Sequence, residues 1–278
     1  MKNILISICT YKEEENIKSL LEEIRKYEKN ADILIVNDSP NDNTNKIIKE
    51  LNDKKIFLIE RKAKLGLGSA HKLSLIFSIK KNYDFVISMD ADFSHHPMYL
   101  PDLINLAKKG NFVIGSRFCQ GGSSEYKGLR KYISILGNKF TSVMLNFQLK
   151  EITTYFRVYD VDSLKKIPFN LLNREGYSMG VKLIWYLKKL KIHLVETPIH
   201  FYDRKKGKSK LPKMQIFISA FDVFVLKLKD LFSSEKISSC GSYLYDRYCE
   251  ICKNNIFSRL NNKNKFKCLT CFNVINNE

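Results

Sequence analysis

Apolar and polar positions alternate along the first half of the chain in two registers. Short runs rich in Ile, Leu and Val at 4–8, 32–36, 56–59, 85–89 and 112–114 predict buried strands. The segments between them carry the helical period. Residues 16–27 place Ile17, Leu20, Leu21 and Ile24 on one face, and Thr44 stands where it can cap a helix carrying Ile47, Ile48 and Leu51. A further helix is expected from about Ser69. Strands alternating with helices predict a mostly parallel α/β sheet, helices on both faces, and ligands at the carboxyl ends of the strands. Residues 212–233 differ, with an apolar face far wider than a polar stripe of Gln215, Ser219, Asp222 and Lys229. Asp222, Lys227, Lys229 and Asp230 interrupt it before the roughly 20 apolar residues that a bilayer span requires. Two readings stand equally: an interfacial helix on a membrane, reinforced by the basic run 204–210, or a helix packed against protein. The chain therefore divides into an α/β domain (1–211), an amphipathic, membrane-surface or packing helix (212–235) and a small C-terminal module (236–278).

Candidate chemistry begins at Asp90-Ala91-Asp92, which closes the fourth apolar run. Two carboxylates spaced i, i+2 at the end of a buried strand can meet one Mg2+ or Mn2+ ion, which can in turn bridge the two phosphates of a nucleotide-sugar. Taken alone the triplet is equally a solvated turn. Asp38, after the second run, lies where the same edge rule puts ligand contacts.

Composition narrows the classes. At 44% hydrophobic and 27% charged, the 278-residue chain is a folded protein rather than a disordered one. A formal charge of +18 asks for an anionic partner: nucleic acid, an acidic membrane surface or a phosphorylated substrate. The N-terminus runs directly into the first strand with no secretory leader pattern, so a cytoplasmic location is expected.

Seven cysteines include Cys249-x2-Cys252 and Cys268-x2-Cys271. Two such knuckles supply four thiolates for a tetrahedral Zn2+ in a ribbon, a closed structural site rather than a catalytic one. A segment of this size has little core, so the metal would supply most of its stability. Unligated thiols are the alternative. Cys9 and Cys119 read as small buried residues, and His71, His95, His96, His193 and His200 as turn, surface or packing residues rather than ligands.

Further landmarks join these. They are Thr10-Tyr11-Lys12-Glu13, Asn37-Asp38-Ser39-Pro40 with Asp42 and Thr44, and Lys64-Leu65-Gly66-Leu67-Gly68. After Asp90-Ala91-Asp92-Phe93-Ser94-His95-His96-Pro97 come Gly115-Ser116-Arg117-Phe118, Arg130-Lys131-Tyr132-Ile133-Ser134, Thr153-Thr154-Tyr155-Phe156-Arg157, and Asp203-Arg204 with Gly207-Lys208-Ser209-Lys210. In this order and spacing, residues 1 to about 211 resemble the dolichol-phosphate mannosyltransferase branch of the family 2 glycosyltransferases, which have the GT-A fold.

The resemblance implies an inverting transfer of a hexose, mannose from GDP-mannose foremost, to a polyprenyl or dolichyl phosphate at the cytosolic face of a membrane. It implies nucleotide-sugar contacts from Thr10, Tyr11, Glu13, Asp38, Asp42, Gly66, Asp90, Ala91, Asp92 and Lys210, with metal held by Asp90 and Asp92. Arg117, Arg130, Ser134 and Arg204 would hold the acceptor phosphate, and Asp90, Asp92, Arg117 and Arg204 would carry the chemistry. The sequence also departs from that pattern. Gly180-Val181-Lys182 stands where relatives carry Gln-x-Glu, Asn37 replaces the first of two Asp, and Thr154-Tyr155 interrupts Thr-Gly-Ser-Phe-Arg. The zinc-ribbon segment lies outside the family pattern, and a protein partner is one role for it. The alternatives are a family 2 transferase with another nucleotide-sugar or acceptor, and a nucleic-acid- or protein-binding module on a decayed transferase domain.

Overall fold

The computed structural model describes residues 2–172, 177–203, 215–232, 257–259, 265–268 and 274–276. The chain runs β1 (Ile4–Thr10), α1 (Ile17–Tyr27), β2 (Asp32–Asn37), α2 (Thr44–Glu50), β3 (Ile56–Glu60), α3 (Leu67–Lys80) and β4 (Phe85–Asp90). It continues with α4 (Leu100–Leu106), β5 (Asn111–Ser116), the short β6 (Ser123–Ser124), α5 (Gly128–Met144), β7 (Arg157–Asp160), α6 (Val161–Leu164), α7 (Tyr177–Lys189), β8 (His193–Pro198) and β9 (His200–Phe201). Helix α8 (Gln215–Phe232) follows, then the strands β10 (Phe257–Arg259), β11 (Lys265–Cys268) and β12 (Val274–Asn276).

Seven strands form the main sheet in the order β3-β2-β1-β4-β7-β5-β8. All five runs read as strands in the sequence are strands here, and each pairs in parallel with another of the sheet. The exception to parallel pairing is β7, which lies antiparallel between β4 and β5. The chain builds outward from β1 through β2 to β3, then returns to place β4 on β1's other side. That reversal makes the carboxyl ends of β1 and β4 a switch point, where a doubly wound sheet opens a crevice for ligand. Register brings Cys9 opposite Asp90 and Thr10 opposite Asn37, so the motif residues after three strands meet at one edge.

The core lies in two apolar layers. One face of the sheet is covered by α1 and α4 through Ile17, Leu20, Leu21, Ile24, Leu100 and Leu103, as the period of residues 16–27 requires. The other is covered by α3, α6 and α7. Helix α3 is buried nearly all round, from Ala70 to Ile79, so it shows little amphipathic pattern. Helix α2 is capped differently from the sequence expectation. Thr44 is the first helical residue rather than the cap, and Asp42 accepts from the Thr44 amide at 3.2 Å and hydroxyl at 2.8 Å. Cys9, near the end of β1, and Cys119, in the loop after β5, are half-buried rather than buried.

Helix α8 packs against protein along one side, as one of the two readings of residues 212–233 expects. Val223 and Leu226 are buried, and α8 packs on α7 and α5, with Lys189 and Asp230 paired at 2.5 Å. Its other side exposes Ile218, Phe221, Phe224, Leu228, Leu231 and Phe232. Among the described residues no helix is long and apolar enough to cross a membrane.

Candidate active site

Glycine 66 begins the site, because the turn into α3 demands it: its φ of 95° lies where a side chain would be strained. Its amide and that of Leu65 donate to Asp38 Oδ2 at 3.1 and 3.0 Å, while the Arg61 guanidinium grips both oxygens of the same carboxylate. Arg61 also donates to Ser69 Oγ and Gly66 O. Asp38, 4% exposed, is thus committed to holding the loop after β3 against the end of β2. The expectation of a direct contact with base or ribose meets a carboxylate whose oxygens are engaged by protein donors. Neighbouring Asn37 accepts from Thr10 Oγ1 at 2.9 Å and donates to Asn45 Oδ1 at 2.7 Å. The second bond needs an amide, which accounts physically for Asn in place of Asp.

Tyr11 follows at the end of β1, half-buried, with the Lys64 ammonium 4.5 Å from its ring centroid. Glu13 lies beside it and accepts from Asn16 Nδ2 at 2.8 Å. Asp42, bonded to Thr44 as described, is drawn toward the start of α2.

The acidic turn is built with more constraint than a solvated loop needs. Asp90 keeps 37% of its side chain exposed, Ala91 is buried and Asp92 is half-buried. Phe93 takes a positive φ of 62°, uncommon for an aromatic residue, and the Ser94 amide donates to Asp92 Oδ1 at 3.1 Å. His95 lies beneath. Its Nδ1 accepts the Asp90 amide at 2.9 Å, so the proton resides on Nε2, which faces Thr154 Oγ1 at 2.7 Å. Burial pushes its pKa down, keeping the ring neutral, and the ring stacks on Phe156. His95 is therefore the packing residue expected from the sequence, and it fixes the backbone from which both carboxylates hang.

Among the described residues no group of three or more acidic, His or Cys side chains could enclose a metal ion. The donor set is two carboxylates at an open edge. Hard oxygen donors of this number suit Mg2+ or Mn2+ in a site completed by a ligand's phosphates and water, and do not suit an enclosed protein cage.

Across the crevice a cavity of about 260 Å³ is lined by Arg117, Phe118, Tyr126, Lys131 and Ser134 among others. Arg117 Nε and Nη2 donate to the two oxygens of Glu151 at 2.6 and 2.9 Å, and Nη2 also donates to Thr153 Oγ1 at 3.0 Å. The pair is buried. Desolvation alone would raise the Glu151 pKa, but the Arg117 charge and the Thr153 hydrogen bonds more than offset it and hold the carboxyl below its usual range. Arg130 lies 3.7 Å over the Tyr126 ring and donates to Asp203 at 3.1 Å. The structure thus brings Arg117, Arg130 and Ser134 to one locality. Arg204 and Lys210 lie outside the described residues, as do Cys249, Cys252 and Cys271; Cys268 ends β11, in a three-stranded antiparallel sheet with β10 and β12.

Sequence reasoning missed Arg61, Glu151, Tyr126 and Lys131 as site residues. Arg61 follows a strand at the ligand edge, a signal the edge rule could have used. Glu151 sits in a stretch with no motif. The missing acidic residue after Tyr177 also has a structural counterpart. A Cβ on Gly180 would fall 2.9 Å from both Tyr155 Oη and Arg157 Nη1, so Tyr155 fills the space that a larger residue at 180 would need.

Beside the cavity, α5 exposes Leu129, Tyr132, Leu136 (63%), Phe140 and Val143 (70%), next to the exposed side of α8. Together they form an apolar face on two packed helices, of the kind that marks an interaction surface.

Residues 5–168 match glycosyl transferase family 2. The chain is 32% identical over 211 residues to the undecaprenyl-phosphate mannosyltransferase of Micrococcus luteus, covering 75% of this chain and 87% of that protein. It is 29% identical over 224 residues to the polyprenol monophosphomannose synthase of Mycolicibacterium smegmatis, covering 79% and 84%. Among solved structures, glucosyl-3-phosphoglycerate synthase from Mycobacterium tuberculosis, in complex with Mn2+, UDP and glucosyl-3-phosphoglycerate, superposes with a TM-score of 0.58 at 17% identity over 82% of this chain and 79% of that one. At that identity the likeness is one of fold, the GT-A arrangement of a nucleotide-sugar transferase.

Proposed function

The chain belongs to glycosyl transferase family 2 and is a glycosyltransferase, and from that premise we propose that it moves a hexose from a nucleotide-sugar to a polyprenyl phosphate at a membrane surface. Mannose is the sugar that the relatives' names favour, and GDP-mannose is the donor that the family resemblance implies. The observation that carries this reading is a basic cavity beside an apolar face: Arg117, Lys131 and Ser134 suit a phosphate, and exposed Leu136 and Val143 on α5 suit the lipid attached to it. A cytosolic-face location is what the family resemblance implies.

The reaction is an in-line displacement. An acceptor phosphate oxygen forms a bond to the anomeric carbon as the bond from that carbon to the β-phosphate oxygen breaks, with inversion, and the electron pair leaves on the nucleoside diphosphate. A phosphate monoester is ionised at neutral pH, so no general base is required. The absence of an acidic residue at 180–182 fits that economy, with Lys182 Nζ instead donating to Leu171 O at 2.5 Å. Asp90 and Asp92 would hold Mg2+ or Mn2+, which when bound supplies positive charge against the departing diphosphate. His95 keeps the two carboxylates in register, Tyr11 offers a ring for the base to stack on, and the Asp38–Arg61 clamp presents the Gly66 turn to the diphosphate. Arg117, oriented by Glu151, and Arg130 orient the acceptor phosphate, a role that the family resemblance also gives to Arg204.

For the C-terminal segment we propose a structural Zn2+ held by Cys249, Cys252, Cys268 and Cys271, in a module that serves a protein partner. The spacing of the two cysteine pairs carries this reading, and Cys268 ends a strand of a three-stranded antiparallel sheet.

The test is transfer of radiolabelled sugar from GDP-mannose, UDP-glucose and UDP-N-acetylglucosamine to undecaprenyl or dolichyl phosphate with Mg2+ or Mn2+. A lipid-linked product, absent with Asp92→Ala, is expected. Folded wild-type protein giving no lipid product with any pair would overturn the reading.

A further inference from the structure

The cavity beneath Arg117 does not end at its basic lining. A second hollow, of about 370 Å³, shares the side chains of Phe118 and Ile135 with it and continues along α5, walled by Val143 and Leu149 with Lys139 and Lys150 at its rim. The first hollow carries Arg117, Lys131 and Ser134; the second has no guanidinium and sets Val143 and Leu149 beside Ile135, with Ser142 its one hydroxyl. One trough therefore changes from anion-binding to apolar along its length.

Helical spacing sets its course. Lys131, Ile135, Lys139 and Ser142 recur at three and four residues, so they form one stripe down α5. The adjacent stripe is the exposed apolar one of Leu129, Tyr132, Leu136, Phe140 and Val143. Val143 belongs to both the hollow and the exposed stripe, which makes it the place where the trough opens onto the apolar face. From Ser134 to Val143 the helix advances about 13 Å at roughly 1.5 Å per residue, the length of a few isoprene units. Ser142 Oγ is turned inward to Phe147 O and Leu149 O, both at 2.9 Å, so its hydroxyl proton is satisfied by backbone.

We infer that the trough along Phe118, Ile135, Val143 and Leu149 is the seat of the first isoprene units of the acceptor, which leave the phosphate at Arg117 and run down α5 before entering the membrane at Val143. The inference rests on the polyprenyl-phosphate reading above and adds to it a path. The lipid follows the side of α5 that faces the loops after β5 and α5, and does not run across the exposed side of α8. Two features fit this occupant. The Phe118 ring has the Arg117 guanidinium 5.0 Å from its centroid, so one side chain joins the phosphate anchor to the apolar run. Lys139 and Lys150 at the rim can lay their stems along the chain while their ammonium groups reach anionic headgroups.

The experiment uses the full chain in detergent and a geranyl phosphate bearing a diazirine on its terminal isoprene. After irradiation, trypsin separates the relevant segments: 118–127, 132–139 and 140–150 report on the trough, and 214–227 on α8. The result expected is adducts on the first three, suppressed by excess undecaprenyl phosphate and by Ile135→Trp, which fills the trough. Ile135→Trp is also expected to raise the KM for geranyl phosphate about tenfold without raising that for the nucleotide-sugar; if this variant does not fold, the wild-type labelling map decides alone. Competable adducts confined to 214–227 would overturn the path and leave the polyprenyl-phosphate reading standing. Folded protein with no competable labelling anywhere would remove the acceptor reading, and the path with it.

Discussion

Glu151 offers a sharp test of how the acceptor cavity is held in shape. Its Oε1 accepts from Arg117 Nη2, the Thr153 amide and hydroxyl and the Thr154 amide, while Oε2 accepts from Arg117 Nε. Every one of these partners is a donor. In Glu151→Gln the new NH2 group must therefore oppose a donor whichever way it is turned, and the less crowded choice sets it against Arg117 Nε. The guanidinium, 5% exposed, then stays buried beside a neutral partner. Breaking a buried pair from one side typically costs about 3–5 kcal/mol; Gln retains an acceptor, so a loss near the lower figure, about 3 kcal/mol, is expected. For a chain of this size that is a fall in Tm of roughly 6–12 °C. The acid limb carries a second signature. The folded pKa of Glu151 is depressed, so its contribution is complete above the ordinary glutamate value of 4.5 and fades as pH falls toward the folded value. The difference in Tm between wild type and variant should therefore be largest above about pH 5 and shrink below it. Differential scanning calorimetry across pH, with acceptor and donor KM measured separately at 20 °C below the variant's Tm, checks both limbs. Equal Tm values at neutral pH, or a gap that does not narrow in acid, would refute the clamp. A rise in donor KM with acceptor KM unchanged would place the damage elsewhere.

Other expectations are briefer. Leu136→Glu combined with Phe221→Glu puts charge on two side chains that are 63% and 62% exposed, so thermal stability should hold while flotation with vesicles containing phosphatidylglycerol is lost; retained flotation would exclude this face as the membrane contact. Gly180→Ala should destabilise the protein although Ala ordinarily favours a helix interior by about 1 kcal/mol, because its Cβ meets Tyr155 Oη and Arg157 Nη1; adding Tyr155→Phe should recover part of the loss in the same melting assay, and no recovery would sink the pairing. Metal analysis of the purified chain should find stoichiometric zinc that a Cys268→Ser, Cys271→Ser variant loses, whereas a zinc-free protein with intact thiols would leave the ribbon without its metal.

The parts of this molecule legible in its sequence are those where one physical requirement dominates. Parallel strands buried on both faces read as unbroken apolar runs, and helices laid on a sheet read as one-sided, so the first four strands and α1 stand where hydrophobic pattern puts them. The acidic turn is legible for a related reason, since it closes β4 at the ligand edge, whereas Arg117 and Arg130 are singled out by the family resemblance alone. What pattern did not reveal was set by pairing at a distance. Strand β7 is only Arg157–Asp160, lies antiparallel between β4 and β5 in an otherwise parallel sheet, and shows no alternation because all four of its residues are buried. The buried charges follow the same logic. Asp38 finds Arg61 across 23 residues, and Arg117 finds Glu151 across 34; neither separation is a local spacing that a helix or hairpin would impose. A motif identifies residues near the ligand, but whether a given carboxylate faces ligand or restrains a neighbour depends on which cation the sheet register brings to it. Asp38 shows the consequence: it occupies a family landmark at the ligand edge, yet its oxygens meet Arg61 and two loop amides, so in this structure it holds the Gly66 turn.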